Sequence, residues 1–307
     1  MAYCRADMRE ASAFSPGHLT GFFQICDEPD DPLLRGSRGA GFSITLGVHT
    51  RVEAEPAGRN SVSVTMNGKV TREAVVSEDV ARRMLSIPDI PHRVRVEHEV
   101  QIPIGAGFGS SGGGALSLAL ALNEALGLGM SHIEAARVAH VAEIECRTGL
   151  GTVLAELTGG FGVTVRPGAP GIGETVKFGH GELFAVCLPF GPIPTREALA
   201  DPELRRRINE LGGGFVDLLH GDRRPERFME LSRRFSEHVG LITPRLRAVL
   251  ERTDEAGFPC TMAMFGEALF SLIESDRVER LVEVLHAAAP GREVLVAGID
   301  DRGARLT

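Results

Sequence analysis

Apolar and polar positions alternate with a period of two in some stretches of the chain and with a helical period in others. Val94, Val96, His98 and Val100 face one way and Arg95, Glu97, Glu99 and Gln101 the other, which is the pattern of a half-exposed strand over 93–101. Phe42, Ile44, Leu46 and Val48 do the same in a long strand opened by Gly36-Ser37-Arg38-Gly39-Ala40-Gly41, a segment that reads as a Gly-flanked loop. Val62, Val64 and Met66 lead into Asn67-Gly68, a type I′ hairpin signal, with Val70 beyond. Near the start, residues 13–23 read as a strand end, a Pro16-Gly17 turn and a return into an apolar run. Helical periods predict helices over 77–87 and, in the second half, over 203–220, 225–239, 244–256 and 276–289. Ala115–Leu122 reads as an apolar helix. Ser131 with Glu134 three positions on forms a capping box, which starts another helix running to about Arg147. Further strands are predicted up to Arg166 and over 174–178, 183–190 and 293–298. Strands and helices are mixed without strict β-α alternation, which indicates the α+β class. Pro167-Gly168-Ala169-Pro170-Gly171-Ile172-Gly173 marks the expected boundary between two lobes, 1–166 and 167–307.

Composition narrows the range of functions. The chain has 307 residues, 43% hydrophobic and 24% charged, enough for a large core. A net charge of -8 argues against nucleic-acid binding through a basic field. Cys4, Cys26, Cys146, Cys187 and Cys260 are widely spread with no C-x-x-C pair, as expected of buried reduced thiols. Charges near the N-terminus oppose a signal peptide, and the longest apolar run, 115–122, is too short for a membrane span. A cytoplasmic protein without membrane partners is expected.

The chemistry concentrates at Pro103–Gly114, where six of twelve residues are glycine. A strand leads in and the apolar helix leads out, so the loop ends at a helix N-terminus. First-turn N–H groups have no intrahelical partner there, and the helix dipole adds positive charge. Glycines let the backbone approach a phosphate closely, and the Ser110 and Ser111 hydroxyls add contacts to phosphate or magnesium. Gly107, Gly109 and Gly112 satisfy G-x-G-x-x-G. A dinucleotide-binding strand, however, is buried on both faces, whereas 94–101 alternates with charges. P-loop and protein-kinase signatures are absent. On the next helix His140, Glu143 and Arg147 share one face, either as a solvated stripe or as part of the same site. Gly149-Leu150-Gly151-Thr152 follows at once.

The string P-x-G-x-G-x-G-S-S resembles the phosphate loop of the GHMP small-molecule kinases. Residues 14–23, 36–46, 103–115, 140–173 and 257–270, in that order, resemble the archaeal pantoate kinase branch of that superfamily. The resemblance implies a two-lobed GHMP-kinase fold and ATP-dependent phosphorylation of the pantoate primary hydroxyl. It places the ATP phosphates on Pro103, Gly105, Gly107, Gly109, Ser110, Ser111 and Gly112, and Mg2+ beside Ser111 and Glu143. It assigns pantoate to His18, Ser37, Arg38, His140 and Arg166, with the Arg166 guanidinium on the carboxylate. On its own residues, the Ser37-Arg38 pair reads equally as a solvated loop hydroxyl and a surface cation. A homodimer is expected. One position departs, because the family pattern G-L-G-D places a catalytic base where this chain has Thr152. Three outcomes stay open: a kinase working without that carboxylate, a slow variant, or a ligand-binding relative. Mevalonate- or homoserine-type substrates are the alternatives within the superfamily.

Overall fold

The computed structural model describes residues 8–71 and 74–307; Cys4 lies outside them. The chain opens with two long antiparallel strands, β1 (Arg9–Cys26) and β2 (Gly36–Pro56), which pair along almost their whole length. β3 (Ser61–Met66) and β4 (Lys69–Val70) form the expected hairpin, with Asn67 and Gly68 both at positive φ. After α1 (Val75–Met84), β5 (His92–Val100) enters beside β2 antiparallel and β3 parallel. Three helices follow: α2 (Ser110–Leu126), α3 (His132–Cys146) and α4 (Thr152–Thr158). The Ser131–Glu134 capping box starts α3 as the spacing predicts.

β6 (Phe161–Arg166) pairs with β2, and β7 (Glu174–Phe178) pairs with β6. The Gly/Pro segment 167–173 is therefore a turn inside the first sheet, and the change of sheet falls between Phe178 and Leu183. β8 (Leu183–Pro192) begins a second sheet. It is followed by α5 (Thr195–Ala200), α6 (Pro202–Gly221), α7 (Pro225–Val239) and α8 (Pro244–Glu255). β9 (Thr261–Met262), β10 (Gly266–Glu274), α9 (Ser275–Ala288) and β11 (Leu295–Gly298) complete that lobe. Its strand order is β11-β8-β10-β9. β12 (Arg305–Leu306) then returns to the edge of the first sheet against β1.

Two of the sequence expectations change here. Pro16-Gly17 is not a turn: it lies within β1 at a register shift opposite Gly47 and Ile44. A proline that cannot donate to the ladder is accommodated by such a bulge. Gly36–Gly41 is not a loop but the first stretch of β2. Short glycines on paired strands carry no period-two signal, so the pattern reads as a break.

Each end of the long β1/β2 ribbon has its own core. One packs against α1, α2 and α3, and the other against β8, β10 and helices α6 to α9. α2 is apolar on nearly every side because it is covered all round. In the second core Phe42, Phe161 and Phe270 gather about Phe228, the Phe161 and Phe228 rings 5.2 Å apart at 66°. Cys187 and Cys260 are buried and free, as expected; Cys26 and Cys146 are only half-buried. No described helix is long and apolar enough to cross a membrane.

Candidate active site

Where the two lobes meet, the loop before α2 forms one wall of an open cleft. Gly105, Gly107 and Gly109 have φ of 72°, 85° and 72°. That left-handed backbone is open to glycine at no steric cost and carries the chain onto the helix start. Ser110 and Ser111 are the first two residues of α2, whose cap, Gly109, offers its amides no side-chain partner. The unsatisfied N–H groups and the positive end of the dipole therefore face the cleft. The Gly105 amide donates to Ser110 Oγ at 3.4 Å, and the His18 amide donates to the Phe108 carbonyl at 2.9 Å. The β1 bulge thus fixes the loop from below. From the second lobe, Gly266 lies against the Ala106–Gly107 peptide with no room for a Cβ.

The opposite wall comes from β1, β2, α3 and the 148–152 turn. His18, Ser37, Glu143 and Thr152 all line the cleft with Ser110 and Ser111. Glu143 is 2% exposed, and burial pushes its carboxyl above the usual carboxylate range, while the Ser111 and Thr148 hydroxyls pull the other way. Thr148 Oγ1 donates to its Oε1 at 3.2 Å; Oε2 has no hydrogen-bond partner. An unpaired oxygen of a buried carboxylate next to a phosphate-type loop suits a hard divalent cation. No group of three or more His, Cys, Asp or Glu side chains among the described residues could enclose a metal. Burial alone lowers the His18 imidazole to about 4, so it is neutral, with Nδ1 3.2 Å from Ser43 Oγ.

Four residues expected at the ligands stand outside the cleft wall. Pro103 precedes the lining part of the loop. Arg38 donates to the Val165 carbonyl at 2.9 Å and to Gln24, and pairs with Asp217 of α6 at 2.5 Å. His140 is buried, and its Nε2 donates to the Pro32 and Arg35 carbonyls at 3.2 and 3.1 Å, pinning the β1–β2 connection. Arg166 is exposed and 3.6 Å from Glu174. Spacing puts these side chains near the site but not the direction in which they turn. Conversely Phe23, Thr164, Thr195 and Leu199 line the cleft; Phe23 and Thr164 lie in segments that the resemblance covers without giving them a role, and nothing in the sequence context of Thr195 and Leu199 marks them. Glu145, one of two carboxylates near Thr152 in sequence, pairs with Arg83 on the surface. The other, Glu156, is fully buried behind the phosphate loop.

Residues 74–160 match the family described as GHMP kinases N terminal domain, so fold and loop together define a GHMP-type kinase. The chain is 34% identical over 279 residues to a pantoate kinase of Thermococcus kodakarensis, covering 89% of this chain and 91% of that one. A pantoate kinase of Methanocaldococcus jannaschii is 30% identical, with 89% and 96% covered. A solved structure described as a phosphotransferase related to the CoA biosynthesis pathway superposes with a TM-score of 0.88 at 30% identity, covering 97% and 98% of the two chains. The chain belongs to the pantoate kinase family.

Proposed function

We propose that this protein transfers the γ-phosphoryl group of ATP to the primary hydroxyl of pantoate, giving 4-phosphopantoate and ADP. The observation that carries this reading, within that family, is the uncapped α2 N-terminus opening onto the same cleft as the buried Glu143. Among the described residues, no Lys or Arg side chain lines that cleft. Charge on the phosphates is met there by backbone N–H groups, the helix dipole and a divalent cation.

In this reading Gly105–Ser111 hold the phosphates, and Glu143 with Ser111 hold Mg2+, which supplies charge neutralisation when bound. Ser37 and the neutral His18 present hydrogen-bonding groups to the acceptor. Phe23, Leu150 and Phe265 give the cleft an apolar side suited to the gem-dimethyl carbon of pantoate. Closure of the two walls around both ligands orients the hydroxyl toward the phosphorus and excludes water, the main requirement of a loose phosphoryl-transfer transition state. Arg166, at the end of β6, reaches the pantoate carboxylate only by leaving Glu174. A homodimer in the cytoplasm remains part of the proposal. Pantoate-dependent ADP release, run beside mevalonate and homoserine with ATP and magnesium, tests it. Turnover with pantoate alone is expected, and preference for either other alcohol would overturn the substrate assignment.

A further inference from the structure

Three carboxylate oxygens come together beneath the start of α2 without a hydrogen-bond partner: Glu143 Oε2 and both oxygens of Glu156. Both side chains are buried, Glu156 completely. They arrive from different helices, α3 and α4, yet flank the same point. A Cβ at Gly112 would stand 2.9 Å from Glu156 Oε2 and 3.2 Å from Glu143 Oε2. A Cβ at Gly109 would overlap Glu156 Oε1 and lie 2.9 Å from Thr152 Cγ2, part of the cleft wall. Glu156 follows Thr152 by one helical turn, so the two share a face of α4. Glycine at 109 and 112 thus leaves the space that this carboxylate occupies. Two buried acids side by side, with a donor to only one of their four oxygens, Glu143 Oε1, are strongly unfavourable unless a cation or a proton lies between them.

We propose that Glu156 is a second carboxylate of the divalent-cation site, acting with Glu143. Magnesium is commonly held by one or two carboxylates plus substrate phosphates, with water completing its shell. The inference rests on the kinase reading for the nucleotide but not on which alcohol is phosphorylated.

The test is Mn2+ binding, read by loss of the free-ion EPR signal with ADP present and pantoate absent, for the parent, Glu156→Gln, Glu156→Asp and the surface control Glu145→Gln. Glu156→Gln is expected to weaken Mn2+ binding at least about tenfold and to abolish the rise in Tm that Mn2+ gives the parent. Glu156→Asp, which keeps the charge, should recover part of both, and Glu145→Gln should match the parent. Parent-like Mn2+ affinity in Glu156→Gln would overturn the inference and leave Glu156 a buried structural acid, as would a parent that binds no Mn2+. Glu156-dependent binding in a protein that ignores pantoate would instead remove only the substrate assignment.

Discussion

Thr152 lines the cleft at the position where the family pattern G-L-G-D has a carboxylate, the expected base for the acceptor alcohol. A general base contributes about 10²- to 10⁴-fold in reactions that need one. Phosphoryl transfer depends more on positioning and charge, so the parent should turn over and Thr152→Asp should raise kcat by about 10²-fold or less. An unchanged kcat would show that proton removal is not limiting. Arg38 illustrates the opposite case, a residue whose sequence context suggests ligand binding but whose guanidinium joins β2, β6 and α6. Arg38→Ala should cost about 1–3 kcal/mol of stability in thermal or urea unfolding and leave KM for pantoate unaltered. A raised KM at parental Tm would return Arg38 to the substrate. Such reversals were beyond sequence reasoning because periodicity fixes a residue's face, not the partner its side chain finds across elements distant in sequence.

Elements were read more reliably than side chains. α2, the capped start of α3, the Asn67-Gly68 hairpin and helices α6 to α9 all lie where periodicity and caps place them, since each carries its own local signal. Missed were α4, α5, β9 and β12, too short for a full period to emerge, β10, whose apolar stretch has no alternation to mark it as a strand, and the β1 bulge, where Pro-Gly chemistry typical of turns is used inside a ladder. The phosphate loop was legible because its glycines are local and dense. Its support was less so: Gly266 of β10 touches the loop from the other lobe. Gly266→Ala should displace the Ala106–Gly107 peptide, raising KM for ATP while far-UV circular dichroism stays native. An unchanged KM would mean the loop holds its shape without that contact.

For the whole molecule, three buried histidines, His18, His98 and His140, are held below the ordinary imidazole range by burial and contribute to the response to acid. His98 lies between Thr50 Oγ1 at 2.8 Å and Ser77 Oγ at 3.0 Å, and burial lowers it from 6.5 to about 4, the same direction and value as His18. Between those values the unfolded chain takes up protons that the folded chain excludes. Stability therefore falls as pH drops from about 6.5 to 4, by up to about 1.4 kcal/mol per pH unit for each imidazole. His98→Gln should flatten that slope in urea titrations across the window; an identical slope would remove His98 as a source.

The return of the chain to the first sheet orders its assembly in time. The Ala304 amide donates to the Glu156 carbonyl at 3.0 Å, Gly303 packs on Leu157, and β12 pairs with Ala13 and Phe14. These residues leave the ribosome after every helix and strand of the second lobe. The first lobe is thus completed by its own distant edge: α4, which carries Thr152 and Glu156, already packs on α2, α3 and β1, and gains its last brace when synthesis has reached that point. A nascent chain stalled before residue 303 would hold the phosphate loop, Glu143 and the packing of α4 on α2, α3 and β1, but would lack the brace on the far side of α4, so the wall that carries Thr152 and Glu156 is the last part of the cleft to be completed.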